Sequence, residues 1–184
     1  MTACLLTVLI SGCGGGGSTV SAPGEPTADV TAAVSGARFA DPAGAYTIMV
    51  AGGWLRVPSS LVGDGVVWWI DKPVNDFAPN VNVTTQQTPG VDLGGYLRSS
   101  EAGMSGMTVL QHRLIRTPDG RTLGELEYAG VDPSGSSKAR MHFLAVFDVA
   151  GGRTVLATLT TPDDATFSQR RAAAEPFRAT LHAR

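Results

Sequence analysis

Cysteine is almost missing from this chain of 184 residues: Cys4 and Cys13 are the only two, and both lie near the start. The rest therefore has no disulfide, no thiolate nucleophile and no cysteine-based metal site. Charge is sparse as well. Asp, Glu, Lys and Arg make up 16% of the residues, against roughly 25% in an ordinary soluble domain, and the formal net charge is −2. Such a chain offers neither the basic face that nucleic acid requires nor strong electrostatic attraction to a membrane. With 43% hydrophobic residues it is not a disordered chain either. No apolar run approaches the roughly 20 residues that a membrane-spanning helix needs. The 23 glycines and 11 prolines follow no period, which excludes collagen. Missing too are the G-x-S-x-G, H-E-x-x-H and phosphate-loop patterns of hydrolases, zinc proteases and nucleotide sites.

What is present begins at the N-terminus. Residues 1–12 carry no charge and hold the apolar run Leu5-Leu6-Thr7-Val8-Leu9-Ile10, which has the character of the end of an export signal. The next segment, Ile10-Ser11-Gly12-Cys13, resembles the lipobox of bacterial lipoproteins. There the small residues admit the signal peptidase and the cysteine thiol receives diacylglycerol. Gly14-Gly15-Gly16-Gly17-Ser18-Thr19 follows as a flexible leash. No Lys or Arg precedes Leu5 and the apolar run is short, so a start codon upstream of Met1 is expected. Residues 1–12 are thus read as signal peptide, 13–38 as lipidated Cys13 with a Gly/Ser/Pro/Ala linker, and 39–184 as the folded domain. The linker's large apolar residues are Val20, Val30 and Val34. As a flexible coil of about 25 residues it would reach roughly 25–30 Å.

From Phe39 onward, short alternating runs broken by turn residues predict strands. These are Tyr46 to Val50, Val66 to Ile70, Asn80 to Thr85, Thr108 to Arg116, Arg121 to Val131, Ala139 to Val149 and Arg153 to Thr160. Pro118-Asp119-Gly120 and Ala150-Gly151-Gly152 are hairpin turn signals between neighbouring runs. Successive hairpins build an antiparallel sheet. Two helices interrupt the strands. Asp92 caps one that turns Leu93, Tyr96, Leu97 and Ser100 toward the sheet. The other opens at Pro162-Asp163-Asp164, with acidic groups at its positive end, and carries Phe167, Ala174, Phe177 and Leu181. Pro176 removes a helical hydrogen bond, so a kink or a restart is expected there. The fold class is α+β: an antiparallel sheet of about six to seven strands flanked by two main helices.

Candidate chemistry is thin. His112 and His142 read as ordinary surface or edge residues rather than a metal pair. Glu125 and Glu127, two apart, share one strand face, and a solvated face is the expectation over a catalytic carboxylate pair. No cofactor or metal is expected. The tryptophans are the better candidates for partner or ligand binding. Trp68 and Trp69 are adjacent on a strand and must point to opposite faces. If helices cover both faces of the sheet, both rings are core; otherwise one faces a groove or partner, and since Val66, Trp68 and Ile70 form the more continuous apolar row, that one is Trp69. Trp54 closes the first strand turn against the core.

The order of these elements resembles the PsbP-like α/β-sandwich superfamily, and within it the actinobacterial LpqN/LpqT-type lipoproteins. The resemblance runs from about Phe39 to the C-terminus. It is carried by the strand ending at Gly53-Trp54 and by Pro79-Asn80-Val81-Asn82-Val83 feeding the helix at Leu93 to Leu97. The hairpins through Glu125-Leu126-Glu127-Tyr128 and His142-Phe143-Leu144 continue it, and Val155 to Pro162 with Phe167 and Phe177 closes it. The resemblance implies a sheet flanked by helices and a non-catalytic accessory or binding role. The expected function is a lipoprotein on the outer face of the cytoplasmic membrane, held by acylated Cys13 and binding a protein partner. The alternative is a carrier of an envelope lipid or glycolipid between sheet and helices.

Overall fold

The structure is a computed structural model that describes residues 28–30, 35–62, 65–73, 77–131, 139–165 and 167–184. Cys13, the leash and Gly63-Asp64 lie outside the described residues. The elements in chain order are Ala28–Asp29 (β1), Gly36–Ala40 (β2), Tyr46–Ala51 (β3), Leu55–Arg56 (β4), Val66–Ile70 (β5) and Asn80–Gln87 (β6). Leu93–Ala102 (α1), Met107–Arg116 (β7), Thr122–Val131 (β8), Arg140–Ala150 (β9) and Arg153–Pro162 (β10) follow. Phe167–Arg171 (α2), Glu175–Thr180 (α3) and His182–Ala183 (β11) complete the chain.

Eight strands form one sheet in the order β1-β7-β8-β9-β10-β6-β5-β4, and three form a second in the order β11-β3-β2. The expected single sheet of six to seven strands is therefore corrected to eight strands plus a small companion. The sheet is also mixed, since β1 runs parallel to β7. Seven of these strands were visible as alternating runs. Those that were not are too short, at two residues each in β1, β4 and β11, or too exposed, in β2, to show a period. The linker expected through residue 38 is corrected too. Val30 is buried in the main core and Gly36 already pairs with Ala51.

Local chemistry explains the long meander β7 to β10. Gly151 and Gly152 both have positive φ, 59° and 76°, as a two-residue type I′ turn demands. Gly124 faces the Phe147 ring across the β8–β9 pair, and a Cβ there would meet ring carbon at 2.1 Å. The absence of a side chain is what lets Phe147 lie flat on the sheet.

Register then divides the large sheet into two faces. One carries Trp69, Val81, Val83, Ile115, Leu123, Leu144, Val146 and Leu159, covered by Ile48 and Val50 of the small sheet and by Phe177 and Leu181. The other carries Leu126, Tyr128, Phe143 and Phe147, covered by Tyr96 and Leu97 of α1. Asp92 caps α1 as expected, its Oδ1 accepting from Gly95 N–H at 2.6 Å. The C-terminal helix restarts at Glu175 with Pro176 in its first turn, where a missing N–H costs no intrahelical bond.

Candidate functional site

Both adjacent tryptophans are buried, Trp68 at 3% exposure and Trp69 at 5%. The expectation that Trp69 lines a groove is corrected: it packs edge-on against Phe39, with ring centroids 5.3 Å apart, inside the main core. The neighbouring strand decides the faces. Trp69 stands opposite Val81 and Val67 opposite Val83, while Trp68 stands opposite Asn82 and Val66 opposite Thr84. The apolar row of β5 alone pointed the wrong way because β6 places its valines on the other side. Trp68 is nonetheless enclosed, and among the described residues its Nε1 has no hydrogen-bond partner. Trp54 is half-buried and packs on the core, as expected.

A cluster of charged groups occupies the first face, beneath α2 and α3. Glu125, expected on a solvated face, is fully buried. Its Oε2 accepts from Arg178 Nε at 2.6 Å and its Oε1 from Arg113 Nε at 2.7 Å, with Arg171 at 3.6 Å. Arg178 is buried in turn and also donates to Glu175. Burial works against its charge, but Glu125 and Glu175 outweigh that and hold the guanidinium above its ordinary pKa. Beside this knot, His142 is buried rather than on the surface. Its Nε2 lies 2.9 Å from Glu127 and its Nδ1 3.3 Å from Asp163, and its ring stacks on Phe167 at 3.3 Å. The His142 hydrogen bond is the chief cause that holds the Glu127 carboxyl below the usual range. Partial burial opposes it and Arg171 assists it. Asp163, expected to serve the helix N-terminus, is engaged by Arg140 and His142. Sequence reasoning missed this cluster because a strand that buries a carboxylate looks the same as one that exposes it. The only signal was arginine at positions 171 and 178 of the last helices, one above each glutamate.

Chemically the cluster is a clamp. Each carboxylate already accepts from guanidinium or imidazole donors, so none stands ready to move a proton to or from a substrate. His112 lies on the opposite face, pairs with Glu101 at 2.9 Å and is exposed, so the two histidines do not meet. Among the described residues no group of three His, Cys, Asp or Glu side chains is placed to hold a metal ion.

A cleft of about 350 Å³ opens on the outer side of the small sheet. Thr47 and Met49 of β3 form its floor. Arg38 of β2, His182 of β11, Thr180 of α3 and the hairpin turn Pro118–Arg121 form its rim. Arg121 is fixed in that rim by Asp119 at 2.9 Å, Asp148 at 3.3 Å and the carbonyl of Leu181. Burial pushes the Asp148 carboxyl above its usual range, against the Ala183 N–H and Arg121. At the far edge of the large sheet, Leu55 and Leu61 stand 69% and 73% exposed.

No protein-family model and no curated protein sequence matches the chain. Solved structures do. A Bacteroides thetaiotaomicron protein superposes with a TM-score of 0.54 over 81% of this chain at 12% identity, and the chain spans about half, 48%, of that protein's length. Synechocystis PsbP (CyanoP) gives a TM-score of 0.54 at 19% identity over 80% of this chain and 92% of its own. The Saccharomyces cerevisiae Ran-binding protein Mog1p gives 0.55 at 11% identity over 82% and 96%. At such identities the likeness is one of fold: this chain has the α+β fold of PsbP and Mog1p.

Proposed function

We propose that the protein is a membrane-anchored, non-enzymatic lipoprotein that binds a protein partner at the outer face of the cytoplasmic membrane. The pair of exposed leucines carries the partner reading. Leu55 opens the two-residue edge strand β4, next to half-buried Trp54, and Leu61 ends the short 3-10 turn that follows it. Single exposed leucines are ordinary, but two at an open sheet edge make a contact surface. That the similarly folded Mog1p is a Ran-binding protein supports the same use of the fold. The saturated carboxylates of Glu125 and Glu127 support a non-enzymatic role. The lipobox at Ile10 to Cys13 and its leash support the anchor.

Two experiments test the halves separately. In a bacterial host supplied with a complete export signal, the mature chain should begin at Cys13 and partition into detergent. Several acyl chains, at roughly 0.8 kcal/mol per buried CH₂, give stable anchoring where one is marginal. An alanine variant, Cys13→Ala, that stays as membrane-bound and as normally processed as wild type sinks the anchor. For the partner, a photo-crosslinker at Leu55 should yield one discrete adduct in the native envelope that Leu61→Asp abolishes, and one at Leu61 an adduct that Leu55→Asp abolishes. An adduct that survives both substitutions places the contact elsewhere.

A further inference from the structure

We infer that the free edge of β2 is a second docking element, which takes an extended, acidic segment of a partner protein as an added strand beside Arg38. The small sheet ends at β2, with no strand on its outer side among the described residues. Four of its five residues are exposed, and Phe39 alone turns inward. An edge of that kind offers unpaired N–H and C=O groups to an extended chain.

The register specifies the chemistry of that chain. Arg38 pairs with Met49 and His182 with Thr47, so these four side chains share the outer face and form the cleft's floor and two of its walls. Among the described residues Arg38 has no acidic partner. It shares this with Arg56, Arg98, Arg153 and Arg184, whereas Arg113, Arg121 and Arg178 lie against carboxylates. Arg121, on the opposite rim, is held in place by Asp119 and Asp148. A strand laid along β2 brings a side chain directly opposite Arg38 on the same face, about 5 Å away between Cβ atoms. Glutamate or aspartate there reaches the guanidinium, and its apolar stem rests toward Met49. The residues flanking it turn to the inner side, where the Arg56 guanidinium lies 4.8 Å above the Phe39 ring. An alternating apolar–acidic segment therefore fits, and an alternating apolar–basic one meets repulsion. This rests on the protein-partner reading but uses a different edge from Leu55 and Leu61.

The test is an NMR titration of the ¹⁵N-labelled chain from residue 14 onward with two synthetic probes, acetyl-Val-Glu-Val-Glu-Val-amide and acetyl-Val-Lys-Val-Lys-Val-amide. The acidic probe is expected to shift the Gly36–Ala40 amides saturably, and Arg38→Gln to weaken it about two- to fivefold, the range of a cross-strand ion pair. The basic probe should shift those amides far more weakly at the same concentration. Equal response to both probes, an unchanged affinity in Arg38→Gln, or no shift in β2 overturns the inference. Anionic phosphatidylglycerol vesicles form a further arm. If they move the same amides while the acidic peptide does not, the edge meets a membrane and the inference is likewise overturned. None of these results touches the crosslinking at Leu55 and Leu61, on which the broader reading stands or falls.

Discussion

The two faces of the large sheet are closed by different physics. Behind α1 the closure is apolar: Tyr96 tilts on Phe147 and Tyr128 stacks on Phe143 at 4.8 Å. Beneath α2 and α3 an apolar field gives way to charge, with Glu125 and Glu127 gripped by arginines from three elements and His142 held between Glu127 and Asp163. The apolar face tolerates small errors of fit, since a misplaced methyl costs on the order of 1 kcal/mol. The charged one does not, because a buried ion that loses its partner retains its full desolvation penalty. The C-terminal helices are thus held by the geometry of charge as well as by the burial of Phe177 and Leu181.

The sharpest way to break that contrast is at Glu125. Glu125→Ala takes from buried Arg178 its buried partner, leaving it Glu175 alone, and strips Arg113 of its carboxylate; it should cost roughly 3–5 kcal/mol in urea unfolding. Replacing Glu125 and Arg178 together by Leu and Met should recover most of the loss. A double variant as unstable as the single one would show that the pair stabilises more than its isosteric replacement. Comparable in size are Trp68→Ala and Trp69→Ala, each expected to cost roughly 3–5 kcal/mol through lost burial and a cavity. An effect under about 1 kcal/mol for either would return that ring to the surface.

A smaller effect sharpens the boundary of the fold. A chain that begins at Arg38 loses Val30 and β1, and should be less stable than one beginning at Ala28 by roughly 1.5–3 kcal/mol, the value of one buried valine. Equal melting of the two would restore these residues to the linker. The least effect concerns acid. The Glu127 carboxyl titrates lower when folded than in the unfolded chain, so its contribution is present above the ordinary glutamate pKa of about 4.3. It is lost as pH falls through the folded value. Glu127 is partly open to solvent, so the loss should stay under ~1 kcal/mol. A His142→Gln variant should flatten that part of the stability–pH curve, and an unchanged curve would detach Glu127 from His142.

Much of the fold could be read from the chain before the structure, and the reasons are particular. The strands β5 to β10 alternate, the turns at Gly120 and at Gly151–Gly152 carry the residues that positive φ requires, and Asp92 marks the start of α1. Partnership was not readable. Alternation in β5 shows that Trp68 and Trp69 diverge, but only the valines of β6 decide which side is the main core. In the same way the spacing of Glu125 and Glu127 shows a shared face, while the arginines that bury it arrive from Arg113 and from the distant Arg171 and Arg178. The exposed leucines and the open edge of β2 have no signature in sequence, since both depend on which strand has no neighbour.

The small sheet has a consequence for the order in which the molecule assembles. Its central strand β3 is closed on one side by residues from the far end of the chain: Met49 N–H donates to Thr180 Oγ1 across 131 residues, and Thr47 pairs with His182. The meander β7 to β10, by contrast, joins strands through short turns and needs little loop-closure entropy. As the chain is made from its N-terminal end, the ribbon of β2 and β3 must therefore wait with one edge of β3 open until the last residues exist. Folding ends where it would seem to begin, and the first strands are the last to be finished.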